Sequence, residues 1–315
     1  MATKDFIRLM RPHQWYKNVL VYLAVVFAGT PSTWPWDPIP AVFVWTNYIP
    51  LTLGFLTFCA ISSSGYIMND VMDLAEDSAH PEKKNRPLPS GAVSKGAAIV
   101  LSVILMIGGL ATALLLNPLF FFIVILYIVN SQAYNVYLRN WAVIDVVTIA
   151  VGFILRAVSG AFLIGVPFTS WLVIGVFFVA LVLGFGKRKN ELQLLGADAA
   201  IHKQVFRQYS ENMLDQGITM SATWVVLFYA LYTYENFRET MDTQPVMWTV
   251  PIVAGIVIRY VYLIQSGSPV GRKPHLAIMD KGMLGGFVMF FVVLLWTLFF
   301  WQPVFDFFVS LLPQI

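Results

Sequence analysis

Apolar runs recur along the chain at the length a lipid bilayer demands, separated by short polar breaks. A helix crossing the hydrocarbon core needs about 20 mainly apolar residues. The runs predict spans over Val19 to Gly29, a second ending near Met68, Ala97 to Leu116, Leu119 to Tyr137 and Val143 to Gly165. Four more follow over Trp171 to Gly186, Ile218 to Tyr234, Trp248 to Ile264 and Leu284 to Trp301. The pattern therefore predicts an all-α polytopic membrane protein of nine transmembrane helices, forming a single integral membrane domain over residues 1–315. No small-residue cleavage site follows the first run, so that span is expected to be retained. Pro31 to Pro40, rich in proline and tryptophan, reads as interfacial helix or loop.

Composition agrees. The chain is 58% hydrophobic and 12% charged, against about 45–50% and about 25% for a soluble domain. Its single cysteine, Cys59, excludes a disulfide framework and a cysteine metal cluster. The net charge of +3 does not call for nucleic acid. Seventeen of the twenty lysines and arginines fall in the N-terminal segment or in the loops after the second, fourth, sixth and eighth spans. Positive charge beside spans marks the cytoplasmic side, so residues 1–18, 69–95 and 187–217 are expected in the cytoplasm at a multi-pass cell membrane. Orientation is indifferent to carboxylates, yet Asp70, Asp73, Glu76, Asp77 and Glu82 crowd one of these loops.

Asn69 through Asp77 reads as an extension of the second helix. At 100° per residue, Asn69, Asp70, Asp73 and Asp77 fall within about a 100° arc centred near Tyr66. Carboxylates this close repel unless a cation lies among them, and hard oxygen donors with room for phosphates suit Mg²⁺. A solvated helix end with acids among lysines is the plain alternative, although acids at a helix C-terminus oppose its dipole. Next comes His80-Pro81-Glu82-Lys83-Lys84-Asn85-Arg86-Pro87-Leu88-Pro89-Ser90-Gly91, a loop by its prolines and glycine. Its cations, Lys83, Lys84 and Arg86, suit a metal-bridged phosphate group.

These two segments together resemble the first aspartate-rich motif of the UbiA superfamily of intramembrane prenyltransferases. That resemblance implies a nine-helix bundle around a cytoplasmic-side cavity that takes Mg²⁺ and a pyrophosphate-bearing substrate. Arg11-Pro12-His13-Gln14-Trp15-Tyr16-Lys17-Asn18 and Gly186-Lys187-Arg188-Lys189 with Glu191 are similar to segments of one branch, the decaprenyl-phosphate 5-phosphoribosyltransferases. Most of the superfamily carries a second aspartate-rich motif after the sixth helix. Here Lys187, Arg188 and Lys189 stand there, with only Glu191 and Asp198 nearby. Three cations suit direct contact with phosphate oxygens, as 5-phosphoribosyl pyrophosphate would require.

The resemblance also implies Lys17 as a phosphate ligand and places Tyr134 and Arg139 in a substrate-binding segment, with Arg139 in the place of the superfamily's lysine. Inside the membrane, Asp145 and Arg156 share a face of the fifth span, roughly 16 Å apart along the axis. An intramembrane arginine needs a wet cavity or a partner. Gly152 between them could leave room for a ligand, and Arg156 is expected either to contact an anion or to pair with a buried acid. Arg259 poses the same choice. The expected metal ligands are Asn69, Asp73 and Asp77, with Asp70, Asp73 and Asp77 catalytic. Tyr66, Lys83 and Arg86 join the substrate-binding set.

The implied reaction moves phosphoribosyl from its pyrophosphate to a polyprenyl phosphate, releasing pyrophosphate, as a precursor for cell-wall arabinan. Prenyl transfer from a diphosphate to an aromatic acceptor is the runner-up. A transporter is a third reading, weakened because the polar cluster lies at one surface and no matched pair of broken helices is evident. The aromatic run Phe120, Phe121, Phe122 could face lipid, substrate or a second subunit, which leaves a homo-oligomer open.

Overall fold

The computed structural model describes residues 3–27, 44–79, 83–166, 168–196, 199, 203–237 and 244–311. Pro31 to Pro40, His80, Glu82, Asp198 and Arg238 lie outside these, as do the side chains of Glu76 and Lys83. Every regular element among the described residues is helical. After α1 (Thr3–Leu9), a 3₁₀ segment over Pro12–Tyr22 leads into α2 (Leu23–Phe27). The next helices are α3 (Tyr48–Met72), α4 (Leu74–Ala79), α5 (Lys95–Leu116), α6 (Pro118–Val136) and α7 (Ile144–Ile164). Then come α8 (Ser170–Leu195), α9 (Glu211–Phe237), α10 (Val250–Gln265), α11 (Lys281–Phe299) and α12 (Trp301–Ser310).

The helix starts follow local chemistry. Ser94 accepts the Ala97 N–H at 3.3 Å to open α5. Asn117 accepts those of Leu119 and Phe120 at 2.8 and 3.2 Å, and Pro118 occupies the first helical position of α6, where its missing N–H costs nothing. Thr169 caps α8 through the Leu172 N–H.

Seven helices among the described residues are long and apolar enough to span a membrane. Two predicted spans are not in that count. Of the first run, Val19 to Tyr22 lie in 3₁₀ turns and Leu23 to Phe27 form α2, while Ala28 and Gly29 lie outside the described residues. The other belongs to α9, whose 27 residues suffice in length but whose apolar stretch after Gln216 is interleaved with serine, threonine, tryptophan and tyrosine. Helix boundaries differ most after the sixth span, where a loop was expected from Lys187. The α8 helix instead runs on to Leu195 and carries Lys187, Arg188 and Lys189 as helical residues, because Arg188 and Lys189 find acidic partners that let them stay buried.

Contacts divide the chain into two compact units, with α7 giving residues 144–150 to the second and 151–164 to the first. In the first, Val21, Phe58, Ile61, Phe120, Val124 and Tyr127 form the main core. Phe58 meets the rings of Phe120 and Tyr127 edge-on at 5.8 and 5.3 Å, so Phe120 faces the interior while Phe122 is exposed. A smaller cluster of Leu9, Ile67, Val71, Leu88 and Val93 ties the proline-rich loop to α3. In the second unit, Gly184 lets Val146 approach α8, and Phe178, Trp224 and Phe228 stack at 5.3–5.7 Å. Helices in lipid gain little from apolar burial alone, so close backbone approach at small residues matters.

Gly160 is the tightest such point. A Cβ there would lie 2.0 Å from the Val21 carbonyl oxygen. Gly160→Ala should therefore lower the thermal unfolding midpoint in detergent, at a cost of about 1–3 kcal/mol from overpacking. Gly108→Ala, inside α5 where a Cβ meets nothing within 4 Å, should hold or raise the midpoint, since alanine is the better helix former; equal midpoints for the two variants would reject this packing account.

Candidate active site

In the first unit, α3 carries the acidic segment and stops at Met72, and α4 begins at Leu74. Asp73 sits at the join with φ −88° and ψ 10°, a sparsely populated backbone region where active-site residues are often found. The helical hydrogen-bond direction nonetheless continues, since the Asp77 N–H reaches the Asp73 carbonyl at 2.8 Å. The expected single arc divides in two. Asp70 and Asp77 converge on Arg86, whose Nη1 donates to Asp70 Oδ1 at 3.2 Å and Asp77 Oδ2 at 2.7 Å. Asn69 accepts from Asn135 Nδ2 at 3.3 Å. Asp73 is half-buried.

A second guanidinium reaches the same carboxylate. Arg11 Nη2 donates to Asp70 Oδ1 at 2.5 Å, and the group lies 5.3 Å over the Tyr66 ring. Arg11 is left-handed, with φ 55° and ψ 56°, and stands directly before Pro12. Both features cost energy for a residue with a side chain. Ser63 holds the segment in place, donating to the Met10 carbonyl at 2.9 Å and accepting from Trp15 Nε1 at 3.1 Å. Lys17 is half-buried on the 3₁₀ segment, with its ammonium 6.0 Å over the Tyr16 ring. Tyr134 is half-buried in the last turn of α6, and Arg139 is exposed in the short turn that follows.

Arg156 is 6% exposed and meets three neutral partners. It donates to Asn18 Oδ1 at 2.8 Å, the Gly152 carbonyl at 2.9 Å and Tyr127 Oη at 2.6 Å, and it stacks 4.4 Å over the Tyr127 ring. Pairing with a buried acid is thus not how its donors are satisfied. The space over Gly152 is lined by Asn130, Tyr127 and Arg156 itself. Asn18 also donates to Cys59 Sγ at 3.3 Å, which fixes its amide so that the oxygen faces the guanidinium. Arg259, by contrast, has an acidic partner: it grips Asp280 through two bonds of 3.1 and 2.8 Å in the second unit. That grip, with the Met283 N–H, holds the Asp280 carboxyl down at about 2 while Asp280 caps α11.

The second unit holds a separate ionic cluster. Asp145 is fully buried, and its oxygens are taken by Arg188 Nε at 2.7 Å, Tyr209 Oη at 2.6 Å and the Val146 N–H at 2.8 Å. Burial and this bond to Asp145 push the Tyr209 phenol well above its ordinary range. Tyr209 Oη also accepts the N–H of Val143 at 2.7 Å, and Val143 has φ 68°, a strained value for a β-branched residue. Lys189 is paired with Asp215. Glu191 receives Arg188 at 2.9 Å and Lys203 at 2.7 Å on Oε2, and Lys187 approaches Oε1 at 3.9 Å. Of the triplet, only Lys187 is exposed.

Among the described residues, no three His, Cys, Asp or Glu side chains form a metal cage. Mg²⁺ does not require one, since it is usually held by one or two carboxylates together with substrate phosphates. The donor set fits that mode. Asp70 and Asp77 offer hard oxygens close enough for one Arg86 nitrogen to bridge them, so a positive charge already lies between the two carboxylates.

Sequence reading missed Arg11, Asn18, Tyr209, Glu191 and Lys203 as members of these networks. Arg11 and Asn18 bracket the Arg11 to Asn18 segment, which was the available signal; Tyr209 and Lys203 carried none. The buried Asp145–Arg188 pair leads to a direct test. Asp145→Ala should destabilise the protein by about 3–5 kcal/mol by leaving the buried Arg188 Nε and the Tyr209 hydroxyl without their shared acceptor, whereas Asp145→Leu with Arg188→Met should recover most of that loss. Thermal midpoints in detergent measure both, and an Asp145→Ala midpoint equal to wild type would show that the pair does not anchor α8.

The comparisons with known proteins agree with this architecture. The family model described as the UbiA prenyltransferase family matches residues 18–272. The chain is 30% identical over 284 residues to the decaprenyl-phosphate phosphoribosyltransferase of Mycolicibacterium smegmatis, covering 87% of this chain and 86% of that protein. It is 29% identical over 281 residues to the protein of the same name from Corynebacterium glutamicum, covering 87% and 81%. In structure it is similar to a UbiA homolog from Archaeoglobus fulgidus solved with GPP and Mg²⁺, with a TM-score of 0.66 at 19% identity over 92% of this chain and 99% of that one. With the matched family model covering most of its length, and seven helices able to span a bilayer, this integral membrane protein belongs to the UbiA prenyltransferase family.

Proposed function

We propose that this protein transfers 5-phosphoribosyl from phosphoribosyl pyrophosphate to a polyprenyl phosphate of the decaprenyl type, releasing pyrophosphate, at the cytoplasmic face of the cell membrane. The observation that carries this reading is the basic stretch Lys187-Arg188-Lys189 where prenyl-diphosphate users of the superfamily carry acids. The names of relatives matched over 87% of the chain support it. The excess of lysine and arginine in alternate loops supports the orientation.

The chemistry asks little of the acceptor. A phosphate monoester has a second pKa of about 6, so its oxygen is a competent nucleophile at neutral pH. It attacks carbon 1 of the ribose as the bond from that carbon to the pyrophosphate oxygen breaks. Attack opposite the leaving group inverts the anomeric centre. The difficulty lies in the charge gathering on the leaving pyrophosphate and in the positive charge developing on the ring. Asp70 or Asp77, with Asn69 and Asp73 nearby, would hold Mg²⁺, which would supply electrostatic stabilisation of the leaving group. Arg86 contributes charge-assisted bonds to the same oxygens. Asp73, at the helix junction, or Asp70 stabilises the oxocarbenium-like carbon. In the second unit, Lys187 is the exposed member of the triplet and serves as a phosphate ligand. Arg188 and Lys189 shape the helix that presents it, and Asp145 acts through Arg188 and Tyr209. Lys17, Tyr66, Lys83, Tyr134, Arg139 and Arg156 complete the proposed substrate-binding set.

Family membership keeps prenyl transfer to an aromatic or other acceptor as the second reading. One assay separates the two. Detergent-purified protein is incubated with ribose-labelled phosphoribosyl pyrophosphate, polyprenyl phosphate and Mg²⁺, and label is expected in the lipid phase. Label absent there, with transfer from a prenyl diphosphate to an aromatic acid instead, would replace the first reading by the second. In the same assay Asp73→Asn should fold and insert normally yet lose most Mg²⁺-dependent transfer; near-normal turnover at low magnesium would show that Asp73 acts neither beside the cation nor at the reacting carbon.

A further inference from the structure

The four charges around Asp70 are balanced but unevenly buried. Asp70 and Asp77 are 4% and 1% exposed, and each has a guanidinium on it. The arginine side chains retain more access, 20% for Arg11 and 35% for Arg86. The carboxylates are therefore the fixed members of the cluster and the guanidiniums the ones with room to leave. Arg86 extends from a loop whose backbone is held, because the Ser90 N–H donates to the Arg86 carbonyl at 3.0 Å and Leu88 is buried. Arg11 is aimed by a left-handed backbone before proline. Strain of that kind persists only where surroundings over-determine it, and it gathers at functional sites.

The charges limit what can bind. A divalent cation arriving alone would have to expel two guanidiniums from two buried carboxylates and leave them without anions in a poorly screened site, which is costly. A diphosphate arriving alone would take the guanidiniums and leave the carboxylates uncompensated. Together, cation and diphosphate satisfy every group.

Resting on the reading of this chain as a user of phosphoribosyl pyrophosphate, we propose that Arg11 and Arg86 exchange partners on binding. They pass from Asp70 and Asp77 to phosphate oxygens as the carboxylates pass to a divalent cation, so that cation and diphosphate bind with strong mutual cooperativity. Arg11 is thereby assigned as a diphosphate-binding residue. No covalent bond changes in this step, and charge is conserved within the cluster. The coupling is reciprocal: each ligand raises the affinity for the other by the same factor, about 5–150-fold in typical coupled sites.

The test uses the full-length protein in detergent, with Mn²⁺ as the probe cation followed by electron paramagnetic resonance. Wild type should bind free Mn²⁺ weakly. Arg86→Met and Arg11→Met each remove a competing cation and should bind Mn²⁺ about tenfold or more tightly, while losing affinity for labelled phosphoribosyl pyrophosphate. Arg11→Lys keeps the charge and should resemble wild type in Mn²⁺ affinity. Arg86→Met, at a half-buried side chain outside the strained Arg11–Pro12 backbone, decides the matter if Arg11→Met does not fold. Methionine variants that bind free Mn²⁺ no more tightly than wild type would overturn the exchange. So would wild type that binds labelled phosphoribosyl pyrophosphate equally well with and without Mn²⁺. If instead wild type binds no labelled phosphoribosyl pyrophosphate under any condition while the methionine variants gain Mn²⁺ affinity, the exchange between arginines and cation stands and the substrate reading fails.

Discussion

A charge buried in a largely apolar chain must find its partner inside the protein, and this constraint organises the structure. With 12% of residues charged, each ionic group that leaves water does so in company. Asp70 and Asp77 carry Arg11 and Arg86, Asp145 carries Arg188, Lys189 carries Asp215, and Asp280 carries Arg259. These pairs decide where helices end. The α8 helix extends past the predicted span because Arg188 and Lys189 can remain buried there, and α3 stops at Asp73, where the chain turns its carboxylates towards the Arg86 loop. Breaking one partner of such a pair costs more than the pair contributes, so the pairs constrain the fold even where they add little net stability.

The same constraint separates structural from functional charge. Asp145 has every acceptor taken by Arg188, Tyr209 and its own helix, and it serves to position α8 and the strained turn at Val143. Asp70 and Asp77 instead share an arginine that is one-third exposed. Arg156 is a third kind, a buried cation satisfied by an amide, a carbonyl and a phenol and set against an aromatic face.

Much of this was legible in the chain itself. Span-length apolar runs set the fold class, and the loop after the second span stood out because carboxylates have no topological reason to gather there. The gathering of carboxylates from Asn69 to Asp77 beside Arg86 was likewise visible in the spacing, although an unbroken helix was assumed and the join at Asp73 splits the expected arc. What could not be read was the identity of distant partners. Asn18 lies 138 residues from Arg156, and Arg11 lies 59 from Asp70. Tyr209 is one tyrosine among thirteen, and only the folded chain brings its hydroxyl to both Asp145 and the Val143 N–H. Nor could hydropathy show that the residues leading into the first run, Pro12 to Tyr22, fold in 3₁₀ turns that bury Asn18.

We propose that Asp70, Asp77 and Arg86 form the seat of the cation that accompanies the substrate's diphosphate. Crystals grown with phosphoribosyl pyrophosphate and Mn²⁺ would test it through the anomalous signal of manganese. The account predicts a manganese peak at coordination distance from Asp70 or Asp77, with the Arg86 guanidinium turned away from both carboxylates and onto the diphosphate. A peak at Glu191 instead, or a bound diphosphate with Arg86 still bridging Asp70 and Asp77, would contradict it.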